Sequence, residues 1–390
     1  MNVSVKWQTA LVCVSVALIS GCVSTSPTLQ ATLSPTSTAW EAVSQAPVLR
    51  QDGLDGVYEL AVDPGSASLF VAASPSFEEN TSGRLYRLDA RSLQLVQTIQ
   101  VPRRSFALAL HSGTNSLFVG NTLDGSITQV DAASGQVKQI IQLAQPEQNK
   151  EGKTQVAHTR KVIVDQTHHR LFVTSPGRLG KVWIVDIATG QILHTIQTEA
   201  PWTAGAAYDA GLNRLYVSQG GKDEILAINP DTAQIVQRYS TGDSLTNQAA
   251  DSKHFFVNMA LDEQGQRLFA ADASTSSVYV FDAKTGQILK QLALQGEGIL
   301  DVLFNASRQE LVVSNRGVSK QHPNGTGAVS IFDANTYAQK RSLALEVHPN
   351  SLSLSADGNT LYASVKTTHS DTHPAWRQNN QDSVVRIDLP

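Results

Sequence analysis

Cysteine is nearly absent from this chain: it occurs twice in 390 residues, as Cys13 and Cys22. Charged residues make up 16% and aromatics 6%, and Ser, Thr, Gln, Gly and Asn fill the difference. Such a composition belongs to strands and turns, not to helical bundles or disordered chains. The formal net charge of −4 lacks the basic excess of a general nucleic-acid binder, while leaving room for a local basic patch. Catalytic signatures are missing too: there is no Gly-x-Ser-x-Gly elbow, Walker loop or paired-carboxylate motif. No catalytic residue, metal or cofactor is assigned, and the reading leans away from an enzyme.

The N-terminus carries an address. Lys6 precedes the apolar run Ala10–Ile19, too short to remain as a membrane-spanning helix. Ile19-Ser20-Gly21-Cys22 then resembles a bacterial lipobox, with small residues where a peptidase must fit an extended backbone. The expectation is a lipoprotein signal peptide over 1–21 and lipidation of Cys22. Cleavage removes Cys13 and lipidation uses Cys22, leaving no thiol and no disulfide. The lipid would be the membrane partner, and Val23 in place of Asp favours the periplasmic side of the outer membrane. Residues 22–45, rich in Ser, Thr and Pro, read as a flexible tether.

From 46 to 390 one phrase dominates. It reads LFVAA from Leu69, LFVGN from Leu117, LFVTS from Leu171 and LYVSQ from Leu215, then LFAAD from Leu268, LVVSN from Leu311 and LYASV from Leu361. Each copy is followed by a strand and a hairpin such as Asp282-Ala283-Lys284-Thr285-Gly286. The spacing, 43 to 54 residues, is that of a propeller blade of four short strands. Recurrence of Asp-x-x-Thr-Gly at a hairpin marks turn chemistry and not a metal loop. The seventh blade stops after its third strand at Asp388, and Ala46–Gln51 resembles the outer strands elsewhere. Pairing the two closes the ring and hides its edges. The fold expected is all-β: a seven-bladed β-propeller whose N-terminal strand closes the last blade.

The long insertions all lie between outer and inner strands or between second and third strands, which share one face. A site is therefore expected at that mouth of the channel. Aligned inner strands place Gly56, Arg104, His158, Trp202, Phe255, Gly298 and His348 in one ring, and Tyr58, Phe106, Arg160, Ala204, Val257, Leu300 and Asn350 in the next. Arg103 and Lys161 lie beside these. Basic groups near exposed aromatics suit a single-stranded nucleic acid, although Glu59, Glu297, Asp301 and Glu346 interrupt the basic arc. His158, His254 and His348 open inner strands of alternate blades, the placement a three-histidine metal site would need, but no ligand-spacing motif accompanies them.

HFFVNMALD from His254, HPNSLSLSADGNTLYASVK from His348, VLFNASRQE from Val302, GVYELAVD from Gly56 and LFVGNTLDGSITQVDAASGQVK from Leu117 resemble the YVTN-repeat propellers, and more closely the YncE-like seven-bladed periplasmic family. The resemblance implies binding of single-stranded DNA at the propeller face without enzymatic activity, and it carries Tyr58, Arg160, Phe255, Asn258 and Asn350 as positions matched by motif. Three readings remain open. The first is a propeller gripping an extended polymer or partner, with Arg103, Arg104, Arg160 and Lys161 supplying charge and Tyr58, Trp202 and Phe255 supplying stacking surface; a nucleic-acid partner would make affinity fall steeply with salt. The second is a protein scaffold for envelope assembly. The third is a metal-dependent propeller enzyme such as a lactonase.

Overall fold

A computed structural model describes residues 48–390, apart from 77, 79–80, 149–151, 178–179, 245–250, 320–321, 346–347, 368–371, 374–375, 377–380 and 390. Residues 1–21, read above as a signal peptide, Cys22 and residues 22–45, read as a tether, lie outside the described residues.

Seven four-stranded antiparallel sheets form the propeller. The inner strands are Val57–Asp63, Ser105–His111, Val162–Asp165, Trp202–Asp209, Phe256–Asp262, Ile299–Asn305 and Pro349–Leu354. Each Leu-Phe-Val phrase is the second strand of its blade, and in Ser68–Ala73, Ser116–Asn121 and Arg170–Ser175 every residue is buried. Burial on both faces explains why these strands read as continuous apolar runs instead of alternating. Leu69 and Val71 pack with Leu54, Tyr362 and Val384 of the last blade, while Phe70 packs with Leu117 and Val119 of the second.

The ring closes as the sequence implies. Val48–Leu54 runs antiparallel to Asp382–Asp388, from Val48 opposite Ile387 to Leu54 opposite Asp382. The hairpin aspartates accept bonds from their own turns: Asp282 Oδ1 takes Lys284 N at 3.0 Å, Thr285 N at 2.7 Å and Thr285 Oγ1 at 2.9 Å. These turns hold the carboxyl groups at Asp89, Asp186 and Asp333 below their usual pKa as well. One insertion read as plain loop contains a short ladder, Glu147–Gln148 with Thr154–Gln155.

Candidate functional site

A β-bulge near the start of the inner strand recurs in six of the seven blades, at Val57/Leu60, Ser105/Ala107, Thr203/Ala206, Phe256/Met259, Ile299/Asp301 and Pro349/Leu352. A bulge sets an extra residue against its partner strand and re-aims side chains. In blade 3 the regular ladder begins only at Val162, and Arg160 and Lys161 bracket Thr174 through backbone bonds of 2.8 and 3.0 Å. The bulges fall at Tyr58 in blade 1, Phe106 in blade 2 and Asn350 in blade 7, with Tyr58 against Phe106 and Phe106 against Arg160.

The resulting wall has two unlike halves. Across blades 7, 1, 2 and 3 runs a contact series: Lys366 Nζ lies 4.0 Å from the Tyr58 ring centre, Tyr58 and Phe106 are 4.4 Å apart at 31°, and the Arg160 guanidinium lies 4.6 Å from Phe106. Burial and then the charge of Asp382 push the Tyr58 phenol well above its usual pKa, keeping it protonated. Blades 4, 5 and 6 offer Ala204, Val257 and Leu300 instead. Gly205 has no room for a side chain, since a Cβ there would stand 2.0 Å from the Val257 carbonyl oxygen.

Acids at equivalent bulge positions lock neighbouring blades together. Glu59, 4% exposed, accepts Leu108 N at 3.3 Å and pairs with Arg160 at 3.1 Å and Lys161 at 3.3 Å. Asp301 accepts Leu352 N at 2.8 Å. Burial raises its pKa to about 6, Lys161 opposing and Glu59 adding to the rise. Asn258 is buried and donates to Leu300 O at 2.9 Å; Asn350 is half-buried at the channel.

The remaining expected residues divide. Trp202 is 39% exposed, its ring 6.3 Å from the half-buried Phe255 ring, so this pair stands open at the mouth. Arg103 instead binds Ser126 Oγ at 2.7 Å and Gln142 Oε1 at 2.6 Å. Arg104 is 6% exposed and pairs with Asp124 at 2.7 Å. Both hold blade 2 and its loops. Neither guanidinium is idle.

The three histidines are not alike. His254 is fully buried, with Nδ1 2.6 Å from Asp272 and Nε2 2.8 Å from Asp243 and 2.9 Å from Thr241 Oγ1. Burial works against its charge, but the Asp272 and Asp243 bonds prevail and lift its pKa to about 9. With both nitrogens engaged, it does not face His158 and His348 as a free ligand. Burial, then the charge of Arg104, lowers the pKa of His158. Sequence reading missed the group around His254: ligand atoms of Asp223, Asp243 and His254 lie within 4.8 Å of one another, and could hold a divalent cation with Asp272 orienting the imidazole from behind. Separations of 11 to 31 residues without a motif hide it in the sequence.

The chain matches the cytochrome D1 heme domain family over residues 79–382. It is 30% identical to the YncE protein of Salmonella typhimurium over 353 residues, which is 90% of this chain and 94% of that protein. Against the YncE protein of Escherichia coli K12 it is 30% identical over 342 residues, covering 88% and 91%. A partial match, 24% over 210 residues, covers 47% of this chain and 44% of the methylamine dehydrogenase heavy chain of Paracoccus versutus. A haem needs a broad apolar slot and a free axial nitrogen. Beside His158 the cavity is about 160 Å³ and its lining includes Glu147 and Gln155, below the roughly 300 Å³ lower end of cofactor pockets. The two nitrogens of His254 are taken. Neither His158 nor His254 therefore offers a haem site.

Proposed function

We infer the function of this chain, which belongs to the YncE-like family of seven-bladed propellers and to the cytochrome D1 heme domain family, to be non-enzymatic capture of an extended ligand at the loop-rich mouth. The observation that carries this reading is the pair of aromatic platforms. Tyr58 and Phe106 sit between two cations in the channel, and Trp202 stands exposed above Phe255. Single-stranded DNA is the ligand chemistry with a flat face on every unit, each stacked base contributing about 1–3 kcal/mol.

The charges refine the expectation. Arg104, Arg160, Lys161 and Lys366 each already face a carboxylate, so a phosphate backbone must compete with internal partners. Stacking then outweighs counterion release, and the salt dependence becomes shallow, with a log–log slope of about −1 to −2. The test is fluorescence anisotropy of a labelled dodecathymidylate with the full chain between 20 and 200 mM salt. Trp202→Ala should weaken binding about tenfold while costing less stability than truncation of a fully buried aromatic such as Phe256, because Trp202 is 39% exposed. Absence of binding at the lowest salt, or equal binding by Trp202→Ala, would sink the reading.

The same internal pairing favours a protein segment as second ligand class, with Trp202 and Trp376, 41% exposed, as anchors. Co-purification of one envelope protein in stoichiometric amount, insensitive to salt, would select that scaffold role. Lipid attachment at Cys22, and with it a station at the periplasmic face of the outer membrane, rests on Ile19-Ser20-Gly21-Cys22. Cys22→Ser should move the protein from the membrane to the soluble fraction; if it stays, the anchor is elsewhere.

A further inference from the structure

Arg316 follows the second strand of blade 6, Glu310–Asn315, at the place Lys366 holds in blade 7. Lys366 is neutralised by Asp382 at 2.9 Å. Arg316 is not: among the described residues its guanidinium makes no hydrogen bond or ion pair, and Nε is sealed from solvent. Burial alone pulls its pKa below the usual value. Beside it Asn315 is 1% exposed, and neither Oδ1 nor Nδ2 has a partner. At the equivalent position of blade 2, Asn121 Nδ2 reaches Ser126 Oγ at 3.0 Å and Thr128 Oγ1 at 2.9 Å. Blade 6 therefore departs from its own repeat at two consecutive residues.

Both side chains lie against one short stretch, 296–298. A Cβ at Gly296 would stand 2.9 Å from Asn315 Oδ1, and one at Gly298 would stand 2.6 Å from Arg316 Cγ and Nε. The intervening Glu297 points its carboxylate at His322, 2.7 Å away, and not at Arg316. A half-buried guanidinium without an anion, next to a buried carboxamide without partners, is costly unless something fills both.

The chemistry of the filler follows from the groups left open. The guanidinium fork needs two anionic acceptors, Asn315 Nδ2 needs a third, and Asn315 Oδ1 needs a donor. Hydrogen phosphate carries three unprotonated oxygens and one acidic hydroxyl; a singly protonated phosphate monoester carries two, with a hydroxyl that donates and whose oxygen also accepts. A carboxylate or a phosphodiester carries no such donor. We propose that the Asn315–Arg316 corner of blade 6 binds a phosphate-monoester group or inorganic phosphate. This site is separate from the stacking surface and does not depend on it.

The experiment is calorimetric titration of the full chain at fixed ionic strength with inorganic phosphate, methyl phosphate, dimethyl phosphate and acetate. Inorganic and methyl phosphate should bind at least tenfold more tightly than dimethyl phosphate or acetate; preference for the inorganic ion over the ester would mark the free ion as the ligand. Arg316→Gln and Arg316→Lys should each lose tenfold or more. Asn315→Leu, which replaces two orphaned groups by an apolar isostere, should lose phosphate binding while its unfolding midpoint stays level or rises. No binding by the wild type at 20 mM phosphate, equal binding of acetate, or undiminished binding by Asn315→Leu would each overturn the proposal.

Discussion

Replacing Asp382 by Asn tests the closure of the ring. Asp382 opens the third strand of the last blade, opposite Leu54 of the closing strand. Its Oδ2 accepts Val57 N, the start of the first inner strand, at 2.9 Å, and Lys366 Nζ at 2.9 Å. Its Oδ1 accepts Thr367 N at 2.9 Å. The side chains are 7% exposed for Asp382 and 12% for Lys366, so this is a buried pair. Removing one partner from such a pair costs about 3–5 kcal/mol, because the other charge stays buried. An Asn also turns an NH₂ group toward one of the backbone donors, which loses that bond outright.

Asp382→Asn should therefore lower the unfolding free energy by about 3–5 kcal/mol, read from urea denaturation at constant m-value. Lys366→Met should cost less, since Asp382 keeps its backbone donors. The double variant should recover at least about 1 kcal/mol relative to the sum of the singles. A cost for Asp382→Asn below about 1 kcal/mol, or additive singles within about 0.5 kcal/mol, would refute a stabilising role for the pair in closure.

Other outcomes follow from the same geometry. His254 has its pKa raised to about 9, so its contribution is complete below pH 6.5 and lost as pH rises through 9; stability should fall over that window by about 3 kcal/mol, measured with chelator present, and His254→Gln should remove that slope. Gly286 has φ +74° and a Cβ there would stand 2.2 Å from Tyr239 Cδ1, whereas at Gly190 the nearest atom is Ile141 Cγ1 at 3.2 Å. Gly286→Ala should cost about 2–4 kcal/mol in chemical denaturation and Gly190→Ala clearly less; equal costs would sink the packing argument. Deleting residues 48–54 bares the Asp382–Asp388 edge and should lower the melting temperature and produce concentration-dependent association in sedimentation, an edge strand being a template for pairing.

The repeat was legible because its second strand is buried on both faces, which writes a continuous apolar phrase into every blade. The closing strand was legible because the last blade lacked an outer strand and a matching segment stood at the other end. Tyr58 and Phe106 could be aligned at the start of their inner strands because the bulge recurs there, whereas Arg160 and Lys161 precede a blade 3 ladder that begins only at Val162. What stayed hidden was partnership. Asp124 lies 20 residues from Arg104, Asp382 lies 16 from Lys366, and Asp272 lies 18 from His254. Each pair is brought together by loop geometry that no spacing rule encodes. Arg103 and Arg104 consequently read as a free basic edge, although the fold engages both.

Closure and site are joined through one side chain. Lys366 Nζ is held by Asp382 and by Val57 O at 3.0 Å while it covers the Tyr58 ring. Loosening the seam between the last blade and the first must therefore disturb the end of the Lys366–Tyr58–Phe106–Arg160 series. Trp202 belongs to blade 4, away from that seam, and is 39% exposed. Asp382→Asn should then weaken oligonucleotide binding even at temperatures where the chain is fully folded, whereas Trp202→Ala should weaken binding without loosening the closing seam. If Asp382→Asn bound normally while folded, the stacking surface would have to lie wholly on the Trp202 side, and the channel half would be scaffold.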